Sequence, residues 1–330
     1  MNKDAGGAES ALNYFVLDVF TESRLTGNPL AVVLNPGTLT TETMQAIARE
    51  MNLSETTFVE RRAVDVEQRE GVRVRIFTTD EELPFAGHPT LGTASLLRAI
   101  APECVDGGTA TLADAMVRLA LTVGSVPVRF EPMAEGAAEW PMRGEMTQRD
   151  PEFGEILNPA EVATLTGLAQ EDFDPNRPIQ IVSTGTAFAI VPLRSAEGLA
   201  RLRVRQDEAA AFLRARGARW FYVLGPTGAK GDAEPSWRAR MQFNGGEDPA
   251  TGSAAGCAIS HLVHHGAVES GAMIHLRQGV EMGRPSDLYL RASLRGSSSS
   301  TGNEAQKNNV TNVRVGGSTI LVAKGKLFLP

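Results

Sequence analysis

Apolar positions recur along this chain with two periods, and each change of period marks a new element. Asn13 to Phe20 and Leu30 to Leu34 are rich in β-branched and aromatic residues and predict strands. Gly27-Asn28-Pro29 between them reads as a turn. Thr40 or Thr41 can cap a helix in which Met44, Ile47, Ala48 and Met51 follow the i, i+3, i+4, i+7 stripe. Thr56 to Glu60 reads as a short strand, and Val72, Val74 and Ile76 alternate with Arg73, Arg75 and Phe77 as a half-buried one. Pro89 opens a helical stretch, Thr90 to Ile100. Within Thr109 to Glu131, the alternation of Val117, Leu119, Leu121 and Val123 argues further antiparallel strands. Met133 to Arg149 has weak periodicity and predicts a crossing between domains.

The second half repeats this inventory. Pro159 to Leu168, Asp207 to Arg216 and Thr251 to His265 read as helices, the last stopped by Gly266. Ile179 to Ser183, Thr186 to Leu193, Trp220 to Leu224 and Trp237 to Phe243 read as strands, and three or more strands follow up to Leu329. The serine-rich run Gly296 to Asn309 reads as a flexible surface insertion. Aligning the halves exposes an echo. Ile76-Phe77, Glu81-Glu82 and Gly92-Thr93-Ala94 are matched in order by Gln242-Phe243, Glu247-Asp248 and Gly256-Cys257-Ala258. Each unit is a strand, an acidic loop and a helix of small residues, whose backbone can lie close against strands. The expectation is two similar domains, each wrapping a sheet around a central helix, with the two loops facing each other across a cleft.

Composition narrows the class. A chain of 330 residues suggests about two domains. With 42% hydrophobic and 22% charged residues it is ordinary globular protein, not disordered, collagen-like or coiled-coil. Two cysteines exclude a disulfide scaffold and a four-thiolate zinc site, leaving open a racemase working with two opposed thiols. A net charge of -7 repels a phosphate backbone, so no nucleic-acid partner is expected. No run of about 18 apolar residues predicts a membrane span. The polar stretch Met1 to Ser10 lacks the apolar centre of a secretory signal, so a cytoplasmic protein is expected.

Three places can carry chemistry. Glu55 enters a strand flanked by Phe58 and Val59, where burial would raise its pKa toward that of a general base; a surface turn is the plainer alternative. His88, in Phe85-Ala86-Gly87-His88-Pro89, precedes a helix N-terminus that favours an anion such as a carboxylate, with Gly87 allowing close approach. The loop Gly245 to Gly256 fits neither a P-loop nor a dinucleotide fingerprint. It still opens a helix, so the amides of Thr251, Gly252 and Ser253 can hold an anion. Asp248 can bind an amine, share a proton, or merely cap the helix. His261, His264 and His265 lack the glutamate of a zinc helix and predict packing or solvent-facing residues, so no metal is expected. No G-x-S-x-G elbow supports a hydrolase.

Asp18-Val19-Phe20-Thr21 to Gly27-Asn28-Pro29, Ser54-Glu55-Thr56, Gly87-His88-Pro89-Thr90, Glu247 to Ala254, and Gln278-Gly279 to Gly283-Arg284-Pro285-Ser286 together resemble the PhzF family of phenazine-biosynthesis isomerases. The resemblance runs from about Tyr14 to Leu329 and implies an α+β, diaminopimelate-epimerase-like fold. It places 11–135 plus the C-terminal strands at about 312–330 in one domain, and 136–311 in the other. It also implies a homodimer, no cofactor, and a small-molecule acid substrate like trans-2,3-dihydro-3-hydroxyanthranilate. Glu55, His88 and Asp248 would be catalytic, and Gly87, Thr251, Gly252 and Ser253 substrate-binding. In the related racemases the two thiols would fall at Ala86 and Pro249, so a carboxylate replaces them as the expected base. Other epimerases or dehydratases on this scaffold, and a non-catalytic binding protein, are the alternatives.

Overall fold

A computed structural model describes residues 11–37, 39–106, 115–132, 139–228, 236–243, 246–295 and 310–329. The serine-rich segment, Gly245 and parts of the 109–131 and 133–149 stretches lie outside them. The first half contains β1 (Ala11–Val19), β2 (Asn28–Leu34), α1 (Thr41–Met51), β3 (Glu55–Glu60), α2 (Val64–Glu70) and β4 (Val72–Phe77). It continues through β5 (Glu82–Leu83), α3 (Gly87–Ile100), β6 (Val105–Asp106), β7 (Met116–Leu121), β8 (Gly124–Phe130) and β9 (Met142–Thr147). The second half starts with β10 (Glu152–Ile156), α4 (Pro159–Thr166), β11 (Gln180–Ser183), β12 (Ala187–Pro192), α5 (Gln206–Arg214) and β13 (Phe221–Pro226). It ends with β14 (Trp237–Arg240), β15 (Gln242–Phe243), β16 (Gly246–Glu247), α6 (Gly252–His264), β17 (Met273–Gln278), β18 (Ser286–Leu294) and β19 (Val310–Phe328).

Every strand except β15 and β16 joins one continuous, mostly antiparallel sheet, and β19 pairs with β1, β9 and β18. The two small-residue helices are central. α3 is buried from Gly87 to Leu97, and α6 is buried at Gly252 and from Ala254 to Val263. Their composition makes this possible: a Cβ on Gly92 would come within 2.6 Å of Leu30 and 2.7 Å of Val19, so only glycine lets α3 lie this close to the sheet. A Cβ on Gly256 would collide with the amide of Gln148.

Most expected elements form, with three differences. α3 begins at Gly87, so His88 lies inside its first turn and not before it. The stretch expected as a crossing contains the strand β9, paired with β8 and β19. Trp237 to Phe243 is broken at Met241 into β14 and β15. Among the described residues no helix is long and apolar enough to cross a membrane.

Candidate active site

Local chain geometry delivers each candidate to one place. Asn52, in the left-handed conformation at φ 51°, ends α1 and turns the chain so that β3 starts on Glu55. Strand β3 runs parallel to β2 with Glu55 opposite Leu30, which sets Asn28 at the same end of the sheet. The Asn28 turn is braced from the other half. Arg284 pairs with the buried Asp18 at 2.7 Å and donates to the carbonyls of Thr26 and Gly27, both at 2.8 Å. In each half a two-residue strand pair then leads into a central helix: Phe77 opposite Glu82 before α3, and Gln242 opposite Glu247 before α6.

The two helices meet at their N-termini. A Cβ on Gly87 would fall 2.8 Å from the Ser253 nitrogen and 2.9 Å from the Gly252 Cα. The first amides of each helix have no intrahelical carbonyl to bind. Two positive dipole ends therefore converge, an arrangement that repels itself unless an anion sits between them.

Around this junction lies a cleft of about 680 Å³ lined by Glu55, Phe85, Phe188, Trp220, Asp248 and Ser253 among others. Arg219 and Glu81 pair at 2.6 Å between its two walls. Glu55 Oε2 stands 3.4 Å from His88 Nε2, and both atoms are buried without a hydrogen-bond partner. Burial, and then the neighbouring Asp248 charge, hold the Glu55 pKa well above the usual carboxylate range. Burial pushes His88 down to about 3, so its imidazole is neutral. Asp248 is raised by burial to about 6, against the opposing pull of its donors Thr251 and Asn28.

Asn28 links the two loops. Its Nδ2 donates to Asp248 Oδ1 and to the Ala250 carbonyl, both at 2.8 Å, and lies 3.2 Å from His88 Nδ1. The Thr251 hydroxyl donates to Asp248 Oδ2 at 2.6 Å and is therefore a support for the carboxylate rather than a free ligand group. Asp248 itself does not cap α6; Thr251 occupies the cap position without a side-chain bond to the helix. Glu55, His88, Asp248, Gly87, Thr251, Gly252 and Ser253 thus come together, and Glu55 is no exposed turn residue.

Sequence reasoning passed over two members of this cluster. Asn28 was read only as part of a turn and a motif, and the buried Gln278, at the end of β17, only as part of a motif. The cysteines lie elsewhere. Cys257 is buried on α6 beside Thr184 with its thiol pushed up to about 11, and Cys104 contacts Glu67 with its thiol up at about 12, both chiefly by burial.

A family model described as phenazine biosynthesis-like protein matches residues 17–325. The chain belongs to the PhzF family. Similar to this PhzF-family chain is the trans-2,3-dihydro-3-hydroxyanthranilate isomerase of Pseudomonas aeruginosa, 35% identical over 96% of this chain and 99% of that one. An isomerase of Mesorhizobium japonicum is 34% identical over the same shares. Among solved structures, a predicted epimerase from Pseudomonas aeruginosa matches with TM-score 0.76 at 33% identity, covering 97% of this chain and 100% of that one. A proline racemase from Agrobacterium radiobacter, 12% identical over 97% and 93% of the two chains, shares the fold at TM-score 0.57. The chain is a PhzF-family isomerase with the epimerase-like fold.

Proposed function

We propose that this isomerase moves a proton between two carbons of a small cyclic amino or hydroxy acid, of the trans-2,3-dihydro-3-hydroxyanthranilate type, with Glu55 as the proton carrier. One observation carries the reading: a buried carboxyl group with a free oxygen faces the cleft beside two converging helix N-termini. The substrate carboxylate sits at the helix junction, near Gly87, Gly252 and Ser253, where backbone amides and dipoles favour an anion. A substrate amine pairs with Asp248. With both ends held, the ionised Glu55 carboxylate takes a proton from one ring carbon, becomes the acid, and returns the same proton to another. Neutral His88 keeps the carboxyl oriented and adds no competing charge. The enclosing walls, Phe188 and Trp220 among them, keep water from washing the proton out.

Within this reading 11–135 with about 312–330 forms one domain and 136–311 the other. The working unit is a cytoplasmic homodimer without nucleic-acid partners, an assembly that sedimentation velocity checks directly. The deciding experiment supplies trans-2,3-dihydro-3-hydroxyanthranilate in heavy water and follows turnover and deuterium content. Turnover is expected, and Glu55→Gln should lower it by about 10²- to 10⁴-fold while ligand still binds. No turnover by the wild type overturns the substrate class, and full activity of Glu55→Gln overturns the base.

A further inference from the structure

Behind Asp248 a buried chain of polar groups runs from Tyr222 through Gln278 to Thr251. Tyr222 donates its hydroxyl proton to Gln278 Oε1 at 2.9 Å, and the Thr251 backbone N–H donates to the same oxygen at 3.1 Å. A backbone N–H is only ever a donor, so the Gln278 amide has a single consistent orientation. Its Nε2 then donates to the Asp248 carbonyl at 2.8 Å and to Thr251 Oγ1 at 3.0 Å. A hydroxyl that accepts from Gln278 must send its own proton elsewhere, and the partner in reach is Asp248 Oδ2. The Asn28 amide is fixed by the same logic, because its Nδ2 faces the Ala250 carbonyl, and it delivers a second proton to Asp248 Oδ1. Both Asp248 oxygens are thus turned toward donors.

Glu55 is the opposite case. Its Oε2 has no hydrogen-bond partner and stands 3.4 Å from His88 Nε2. His88 Nε2 makes no hydrogen bond to Glu55, and the other ring nitrogen, Nδ1, lies 3.2 Å from Asn28 Nδ2. Glu247, the charge that acts on Asp248, is occupied by Nε and Nη2 of Arg240 at 2.9 and 2.6 Å.

We infer that Gln278 is a positioning residue that decides where the proton of the Glu55–Asp248 pair resides: by aiming the Thr251 hydroxyl at Asp248 it makes Asp248 the anion and leaves the proton on Glu55 in the free enzyme. The functional meaning rests on Glu55 as proton carrier. A substrate ammonium on Asp248 then cancels the charge that adds to burial in keeping Glu55 protonated, and weakening that bias lets binding release the proton that makes Glu55 a base. The proton's location is a property of the unliganded protein and is tested without turnover.

Infrared spectra of the whole chain at neutral pH should show the carbonyl band of a buried protonated carboxyl group. Labelling glutamate side-chain carboxyls with ¹³C should move that band, labelling aspartate should not, and Glu55→Gln should remove it. In Gln278→Met, and in Thr251→Val if that variant is the better folded, part of the band should move to the aspartate label; Thr251→Ser should restore the wild-type pattern. A wild-type band that follows the aspartate label overturns the inference. So does the same assignment in wild type, Gln278→Met and Thr251→Val. Because no substrate is present, these results stand apart from any failure of the proposed reaction.

Discussion

Asn28 shows what one small polar side chain does here. Its two amide protons reach residues more than two hundred positions away, tying the β2 turn to the α6 loop. Leaving buried acceptors unsatisfied costs about 1–3 kcal/mol. Asn28→Ala should therefore lower thermal stability and, by letting Asp248 and His88 drift, reduce turnover about tenfold to a hundredfold. Melting and kinetics on one preparation check both, and unchanged kinetics would mean that Asn28 serves the turn alone. Glu55, His88 and Asp248 were readable in sequence because each sits inside a local motif. Asn28 and Gln278 were not readable as site members, since their roles come from partners on α3, on β13 and in the loop between β16 and α6 that no local pattern reveals. Thr251 was expected to offer its amide to a substrate anion; in the structure that amide donates to Gln278 Oε1 and the hydroxyl to Asp248.

The strand–loop–helix echo is physical at the level of elements. Arg75 grips Glu82 with two hydrogen bonds of 2.8 and 2.6 Å, and Arg240 grips Glu247 with two of 2.9 and 2.6 Å, each pair seven residues apart. Paired N–H···O bonds of this kind fix a carboxylate's orientation as well as its position. Both acidic loops are therefore held to their own strands, and each feeds a buried small-residue helix. Gly87 is where the two units touch. Gly87→Ala should cost about 1–3 kcal/mol as its Cβ presses on Gly252 and Ser253. It should also part the helix ends, so turnover is expected to fall at temperatures where the variant remains folded; calorimetry beside kinetics separates the two effects. Elements with clean periodicity were legible, but β9 was not. Its inward positions are Met142, Gly144 and Met146, and Gly144 is needed because a Cβ would approach Phe130 to 2.9 Å and Leu91 to 3.0 Å. A glycine in mid-strand erases the signal that a side chain would give. Helix α2 escaped for another reason: it has no side-chain cap, and its Glu67 is buried through a pair with Arg61.

The whole molecule carries histidines and carboxyls whose burial acts on stability in opposite directions. His88 and His261 are buried and held near 3, His261 chiefly by burial and then by His265, with His264 and Arg177 also facing it. An unfolded histidine titrates near 6.5, so as pH falls below that value the unfolded chain takes up protons that the native state refuses. Native stability is complete above about pH 6.5 and falls by about 1.4 kcal/mol per pH unit for each such residue on the way down. Asp248 and Glu55 have raised native pKa values, so the native state gains protons first: Asp248 adds stability as pH falls from about 6 toward 4, and Glu55, held higher, begins to do so at higher pH. The histidines act over the wider window, and the net result is acid sensitivity that the site carboxyls partly offset. His261 Nε2 donates its N–H to the Pro178 carbonyl at 2.9 Å. His261→Asn can keep a donor on that face while removing the titration. It should flatten the loss of melting temperature between about pH 6.5 and 4 and leave the value at pH 8 nearly unchanged. Asp248→Asn should do the reverse and steepen the acid limb, because the stability its carboxyl adds between about pH 6 and 4 is lost. Melting curves of the three proteins across this range decide the matter: parallel profiles would mean that neither group titrates differently in the folded and unfolded chains.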